Sequence, residues 1–495
     1  MKRVVEADEM RRYEQKRFTD GRAESLVWME RAAQGVDALL SARYAGKRVL
    51  VVCGGGNNGG DGFALLRLLT TRGSTSAGVL LTDASKLAGD AKTNYLRALE
   101  LGVRFFDAVT DELLRTYDVI VDAIFGTGLS RPVSGAYADA IARMNASGKP
   151  IVAVDIPSGV DATTGAILGV AVHASETVTF EFYKRGQLFF PGRGLCGEVI
   201  VHPLSDAEEE DGTVSLFSRE DAAKLLPKRP ADSHKGKNGR ALLCVGSKQL
   251  TGAALLSTAA CLRAGAGLTT AAVPGEIKNA FANLPEAMAV PVNDGAVWDE
   301  TACRAATALL PKKSAVCIGC GAGEGDILPL IESALSTKVP LVLDADALNQ
   351  LAKSAHLLAN LQESVILTPH PAEMARLCGE PITAVLADPI GISQKYAKQW
   401  NCVVLLKGAT SCISDGRTVR LNISGNAGLS KGGSGDVLAG LITGLLAQGM
   451  APFDAASCGA YLLGASADTA LELLKERMLL ARDVIGAIEQ TIENF

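Results

Sequence analysis

The segment RVLVVCGGGNNGGDG (residues 48–62) constrains the fold of this chain more than any other stretch. An apolar run passes straight into a glycine-rich loop, and a helical pattern follows from about Phe63 to Arg72. A run with no polar face predicts a strand covered on both sides, as in a parallel sheet flanked by helices. The same order recurs in AGVLLT, DVIVDAIFG and PIVAVDIPSG, with TVTF and EVIVHPL closing the series near Leu204. Helical periodicity between about Asp8 and Tyr44 precedes it. Alternation of this kind predicts a Rossmann-like, doubly wound α/β sheet.

Residues 205–213, SDAEEEDGT, break the alternation. Five acids in seven residues cannot bury themselves, so a solvated linker is expected there. A second alternating series then runs through ALLCVGS, LTTAAV, AMAVPV, AVCIGCG, PLVLDAD, SVILTPH and CVVLLKG, followed by a hairpin about Asp415-Gly416 and long helices. The expected organisation is an N-terminal domain over 1–204, a linker region over 205–230 and a second α/β domain over 231–495. A chain of 495 residues is indeed too long for one ordinary core.

Composition narrows the function classes. The net charge of −5 argues against an electrostatic nucleic-acid or membrane partner. The N-terminus lacks the apolar core of a secretory signal, and no apolar run is long enough for a membrane span. The 11 scattered cysteines, several inside strand patterns, read as buried thiols of a reduced cytoplasm. Cys317 and Cys320 form a lone C-x-x-C that is expected to be core packing.

The first glycine-rich loop offers backbone N–H groups at a helix N-terminus, where anions are favoured. Its G-x-G-x-x-G (Gly54, Gly56, Gly59) is weak evidence for dinucleotide binding, but two asparagines and an aspartate inside it are uncommon. Two further strands end in acids, Asp122 and Asp155, and strand C-termini of a parallel sheet converge on one edge. Each acid alone reads as a turn cap; several in one sheet point to a site. Asp122 and Ser158 with Asn58 offer hard oxygen ligands for a cation, and Asp155 an acid/base. The NNGGDG loop, GTGLSRP (residues 126–132) and DIPSG together resemble the NAD(P)HX epimerase domain, which interconverts the R and S epimers of hydrated NADH and NADPH. That resemblance implies substrate contacts from Asn57, Asn58, Gly59, Gly60 and Asp61. It implies others from Gly126, Thr127, Gly128, Leu129, Ser130, Arg131, Pro132 and Asp155, and a K+ ion held by Asn58, Asp122 and Ser158.

The strongest motif is SKGGSGDVL (residues 430–438), which leads into the apolar helix AGLITGLLAQG. Glycines before a helix N-terminus make an anion hole for a phosphoryl group. An Asp just inside can accept a proton from an attacking hydroxyl. Nearby in pattern, KGATS (residues 407–411) offers a cation and hydroxyls, and TPHPAEM supplies His370, a residue type used only five times. With HKG (234–236), Gly252-Ala253, CLRAGAG, GCGAGEG and LDADALN, these motifs resemble the ribokinase-like fold, and more narrowly the ADP/ATP-dependent NAD(P)H-hydrate dehydratase. The resemblance implies substrate contacts at Ala253, Gly321, His370 and Asp436. It places a nucleotide, ADP or ATP with Mg2+, at Lys407, Gly408, Ala409, Thr410, Ser411 and Gly435. The chain departs from that family at Cys320 and Ala427, where Pro is usual; a loosened turn is the expected effect.

The implied activity is repair of NADHX and NADPHX: epimerisation, then nucleotide-dependent dehydration, with Asp436 as base and phosphate released. A cytoplasmic homo-oligomer acting on small molecules is expected. A vitamin or sugar kinase would share G-x-G-D but would not need the N-terminal loop. A purely binding N-terminal domain would not need Asp155.

Overall fold

The computed structural model describes residues 1–205 and 212–495. It divides into two compact units, Lys2–Gly212 and Thr213–Phe495 with Met1.

The N-terminal unit is built on a seven-stranded sheet whose pairings are all parallel. In spatial order its strands are Phe105–Phe106, Ser76–Leu80, Val49–Cys53, Val119–Ala123, Ile151–Val154, Glu176–Phe180 and Glu198–His202. Alternate residues of Val49–Cys53 feed two separate cores, as a two-residue period requires. Val49, Val51 and Cys53 pack with Met29, Val36 and Phe63, whereas Leu50 and Val52 pack with Leu113, Ile141 and Met144. The sheet is therefore covered on both faces, as its apolar strands predicted. Chain order reverses between Val49–Cys53 and Val119–Ala123, and the crevice outside the strand ends at such a switch point is where ligands bind in open α/β sheets.

The helix expected from about Phe63 begins earlier, at Asn57, and runs to Thr71. Residues expected to be loop are its first turns, because glycine lets them pack where no side chain fits. A Cβ on Gly59 would lie 2.0 Å from the Gly54 carbonyl oxygen.

In the second unit the sheet order is Met288–Pro291, Leu268–Val273, Arg240–Cys244, Ala315–Ile318, Leu341–Leu343, Val365–Leu367, Val403–Leu406, Ser411–Ser414, Val419–Asn422 and Val214–Leu216. Among these strands the hairpin pairings of Val403–Leu406 with Ser411–Ser414 and of Ser411–Ser414 with Val419–Asn422 are antiparallel. The switch point falls between Arg240–Cys244 and Ala315–Ile318. Helix Ser434–Ala447 is buried continuously from Val437 onward, which explains why its sequence is apolar on every face.

The expected linker, 205–230, needs correction. Residues 206–211, which carry its acids, lie outside the described residues. Val214–Leu216 pairs in parallel with Val419–Asn422, and helix Arg219–Leu225 buries Ala222 in the core of the second unit. The two-residue alternation of a strand of only three residues was too brief to read. All 11 cysteines are unbonded and all but Cys378 are buried. No helix among the described residues is long and apolar enough to cross a membrane.

Candidate functional site

At the N-terminal switch point lies a cavity of about 860 Å3. Its wall includes Asn57, Asn58, Asp61, residues 126–131 and Asp155. Pro132 is not part of it, and Gly59 and Gly60 are buried against Gly54 and Met29, so they have only backbone to offer a ligand. The helix start at Asn57 explains the arrangement: Asn57, Asn58 and Asp61 share its first turns.

Asp122 and Ser158 meet beside this wall, both buried. Ser158 Oγ donates to Asp122 Oδ1 at 2.7 Å, and the Ser158 N–H donates to Oδ2 at 2.8 Å. The Phe125 N–H donates to Ser158 Oγ at 2.8 Å. Burial pushes the Asp122 carboxyl up to about 6, against the hydrogen bonds from Ser158. Asn58 is also buried, yet among the described residues neither its Oδ1 nor its Nδ2 has a partner. A buried amide left unpaired costs about 1–3 kcal/mol, so a bound ligand is the natural complement. The donor set is oxygen without sulfur or imidazole, which suits a hard cation such as K+.

Asp155 sits at the end of strand Ile151–Val154 with φ 68°, a left-handed conformation that is strained for a non-glycine residue. The strain is held by tertiary bonds. The Asp155 N–H donates to the Val178 carbonyl at 2.7 Å, and Gln187 Nε2 donates to the Asp155 carbonyl at 2.7 Å. Its carboxylate is ion-paired with the fully buried Lys184, Nζ to Oδ1 2.7 Å, and accepts from Thr179 Oγ1 at 3.1 Å. Lys184 also donates to Thr179 Oγ1 and the Phe180 carbonyl.

Sequence reasoning missed Lys184, Thr179 and Gln187. Their signal was slight, a lysine and a glutamine in EFYKRGQ just after a strand. It also missed Glu14, which reaches the cavity from helix Ala7–Thr19 with Met10, Arg11 and Phe18 on the same face.

In the second unit, neighbouring parallel strands end in the residues of the site. Ala315–Ile318 leads to Cys320, Leu341–Leu343 to Asp344, Val365–Leu367 to Thr368 and His370, and Val403–Leu406 to Lys407. Asp344 is buried and central. Its Oδ1 is 3.0 Å from Lys407 Nζ and accepts from Thr368 Oγ1 at 2.7 Å, while Cys320 Sγ lies 3.6 Å from Oδ2. Lys407 also approaches Glu373 at 3.8 Å. Although burial works the other way, the Asp344 and Glu373 carboxylates hold the Lys407 ammonium above its ordinary value. The residue after Asp344, Ala345, is likewise strained, with φ 49°.

Helix Ser434–Ala447 aims its first turn at this cluster. Gly433 precedes it with φ 100°, a turn that only glycine makes without strain. A Cβ on Gly435 would lie 3.5 Å from Lys407 Nζ and 3.8 Å from Asp344 Oδ2. The first-turn N–H groups therefore open beside a lysine, an arrangement that favours an anion. Asp436, third in the helix, is pushed up to about 7 by burial and by the Asp344 charge, with Lys407 opposing. Cys320, Asp344 and Asp436 bring their ligand atoms within 4.8 Å of one another. The departure at Cys320 thus does more than loosen a turn, since its thiol touches the Asp344 carboxylate and lies 3.9 Å from Cys317 Sγ.

Ala253 and Gly321 meet at the switch point, where a Cβ on Gly321 would lie 2.7 Å from that of Ala253. His370 is exposed and caps helix Pro371–Cys378: its Nδ1 accepts from the Ala372 N–H at 3.1 Å, and its own N–H donates to Glu373 Oε2 at 2.8 Å. Partial desolvation of the ring lowers its pKa from the ordinary value, with the Glu373 charge opposing, which favours the neutral imidazole that accepts this bond. In the 407–411 segment, Gly408 and Ala409 are exposed, Thr410 is buried and Ser411 Oγ donates to the Gly408 carbonyl at 3.3 Å. Asp344 and Glu373 were quoted within motifs but given no role from sequence.

Comparison with known proteins adds the family. A family described as NAD(P)H-hydrate dehydratase matches residues 241–490, and one described as YjeF-related protein N-terminus matches residues 25–186. A bifunctional NAD(P)H-hydrate repair enzyme Nnr from Moorella thermoacetica is 36% identical over 99% of this chain and 97% of its own. A ribokinase-like superfamily protein from Enterococcus faecalis matches with a TM-score of 0.50 and 25% identity, over 58% of this chain and 98% of that one. An ADP/ATP-dependent NAD(P)H-hydrate dehydratase from Bacillus subtilis, co-crystallised with ATP and Mg2+, matches with a TM-score of 0.49 and 29% identity, over 57% of this chain and 98% of that one. With the second unit ribokinase-like and the first a doubly wound parallel sheet, the chain belongs to the bifunctional NAD(P)H-hydrate repair enzymes.

Proposed function

We propose that the second unit phosphorylates the ring hydroxyl of NADHX or NADPHX and that loss of the phosphate restores the reduced cofactor. The observation that carries this reading is Asp436 in the first turn of a glycine-led helix, beside Lys407 and Asp344. Asp436 takes the hydroxyl proton, while the first-turn N–H groups and Lys407 receive the charge of the transferring phosphoryl group. Asp344 holds Lys407 in place. The nucleotide, ADP or ATP carried with Mg2+, lies along residues 407–411 and Gly435, and the substrate along Ala253, Gly321 and His370.

The first unit supplies the epimer that the second consumes, using the cavity at its own switch point with Asp155 as acid/base. Asn58, Asp122 and Ser158 hold K+, which fixes the wall on which the substrate rests. The buried, unbonded cysteines accord with a reduced cytoplasm. The test is to add the protein to an epimer mixture of NADHX with ATP, with ADP, or with neither, and to follow NADH. NADH must appear only with a nucleotide, and the yield must exceed the share of one epimer. A stable phosphorylated product without NADH would convert the reading into an ordinary kinase.

A further inference from the structure

We propose that Glu14 is a second catalytic residue of the N-terminal cavity, exchanging a proton with the ring hydroxyl from the helical wall while Asp155 does so from the sheet edge. The inference rests on the epimerase reading and assigns it a chemistry. NADH contains an enamine, and adding water to an enamine puts the hydroxyl on the carbon beside nitrogen. Such a carbon inverts when its C–O bond breaks and re-forms on the other face.

The step balances without an oxidant or reductant. A protonated carboxyl gives its proton to the hydroxyl oxygen, and the C–O bond breaks with its electron pair leaving on water. The ring nitrogen lone pair forms a C=N bond. Water then adds to the opposite face, the C=N pair returns to nitrogen, and the added water loses a proton to the second carboxylate. One carboxyl must start protonated and the other ionised, and their roles exchange in the reverse direction.

The cavity provides that asymmetry. Asp155 is held in an ion pair with Lys184. Glu14 lines the same cavity, and no hydrogen bond or ion pair among the described residues ties up its carboxyl. Burial and the Asp155 charge push Glu14 up to about 7, with Lys184 and Arg11 pulling the other way. Asp61, also in the wall, is pushed well above the usual carboxylate range by burial, Asp155 and Glu14. The unpartnered Asn58 amide in the same wall marks this cavity independently as made to hold a ligand.

The experiment uses the full chain and both NADHX epimers without nucleotide, following epimer exchange; dehydration with ATP serves as the folding control. Glu14→Gln should lower kcat for exchange by about 10²–10⁴-fold with KM nearly unchanged, and Glu14→Asp should restore part of it. The wild-type rate should fall as pH rises through about 7, where Glu14 loses its proton, and Glu14→Gln should lack that fall. Dehydration should be unaffected. Wild-type kcat in Glu14→Gln, or a loss confined to KM, overturns the inference while leaving the epimerase reading intact. Should Glu14→Gln fail to fold, a wild-type profile flat through pH 7 overturns it equally. Absence of exchange in the wild type removes the epimerase reading, and the inference with it.

Discussion

Asp436→Asn should inactivate dehydration and stabilise the fold together. The folded carboxyl titrates at about 7 against an ordinary 3.8, because burial and Asp344 disfavour its charge. At about 1.4 kcal/mol per pKa unit, that shift bounds the cost of the charge at roughly 4 kcal/mol. Water reaching the partly exposed site screens it, so about 2 kcal/mol is the working figure. The sign follows from proton binding. Between pH 4 and 7 the folded state binds the proton and the unfolded state releases it, so stability falls as pH rises through 7. Asparagine removes that dependence. Tm of the mutant should exceed wild type by about 4–8 °C at pH 8, at about 2–4 °C per kcal/mol, and match it near pH 4. NADH formation should drop by about 10²–10⁴-fold through loss of the base, while epimer exchange continues in the other unit. Wild-type dehydration also requires ionised Asp436, so its rate should fall as pH drops below about 7. Scanning calorimetry at the two pH values, with NADH formation from NADHX, checks both halves. No gain in Tm at pH 8, or near-wild-type NADH formation, would refute the argument that Asp436 is a charged base kept at the expense of stability.

Gly435→Ala should fold normally, since its Cβ meets nothing closer than 3.5 Å, but should raise KM for ATP and ADP because that methyl fills the space beside Lys407; unchanged nucleotide KM would move the phosphate elsewhere. Potassium should raise the Tm of the N-terminal unit in proportion to the logarithm of its concentration, and Asn58→Ala should abolish the rise; a shift equal in Li+ and K+ counts against the site. The two units should fold apart when cut at 212/213. A fragment starting at Ala231 should be less stable, because it loses strand Val214–Leu216 and helix Arg219–Leu225; equal urea midpoints for the two fragments would contradict this.

Local order was legible because it follows from neighbours in the chain. Apolar runs of four to six residues became buried strands, as in Val49–Cys53 and Leu268–Val273, and acids at their ends landed on one sheet edge because parallel strands share a direction. The GGSGDVL helix start was readable for the same reason: glycine, Asp and an apolar helix act within a single turn. The Asn57 helix start was misread, since six polar and glycine residues have poor helix propensity and only close packing against Gly54 and Met29 recruits them.

Which groups meet was decided by tertiary structure. Glu14 and Asp155 are far apart in sequence and reach one cavity only because helix Ala7–Thr19 packs over the switch point. Buried Lys184 is brought against Asp155 by the fold, and Lys407 is held by Asp344 from a strand two places away in the sheet. Sequence determined the kinds of groups available and the edge to which they are delivered. The order of strands determined their partners, because burial and Coulombic coupling depend on distances in space that no local pattern encodes.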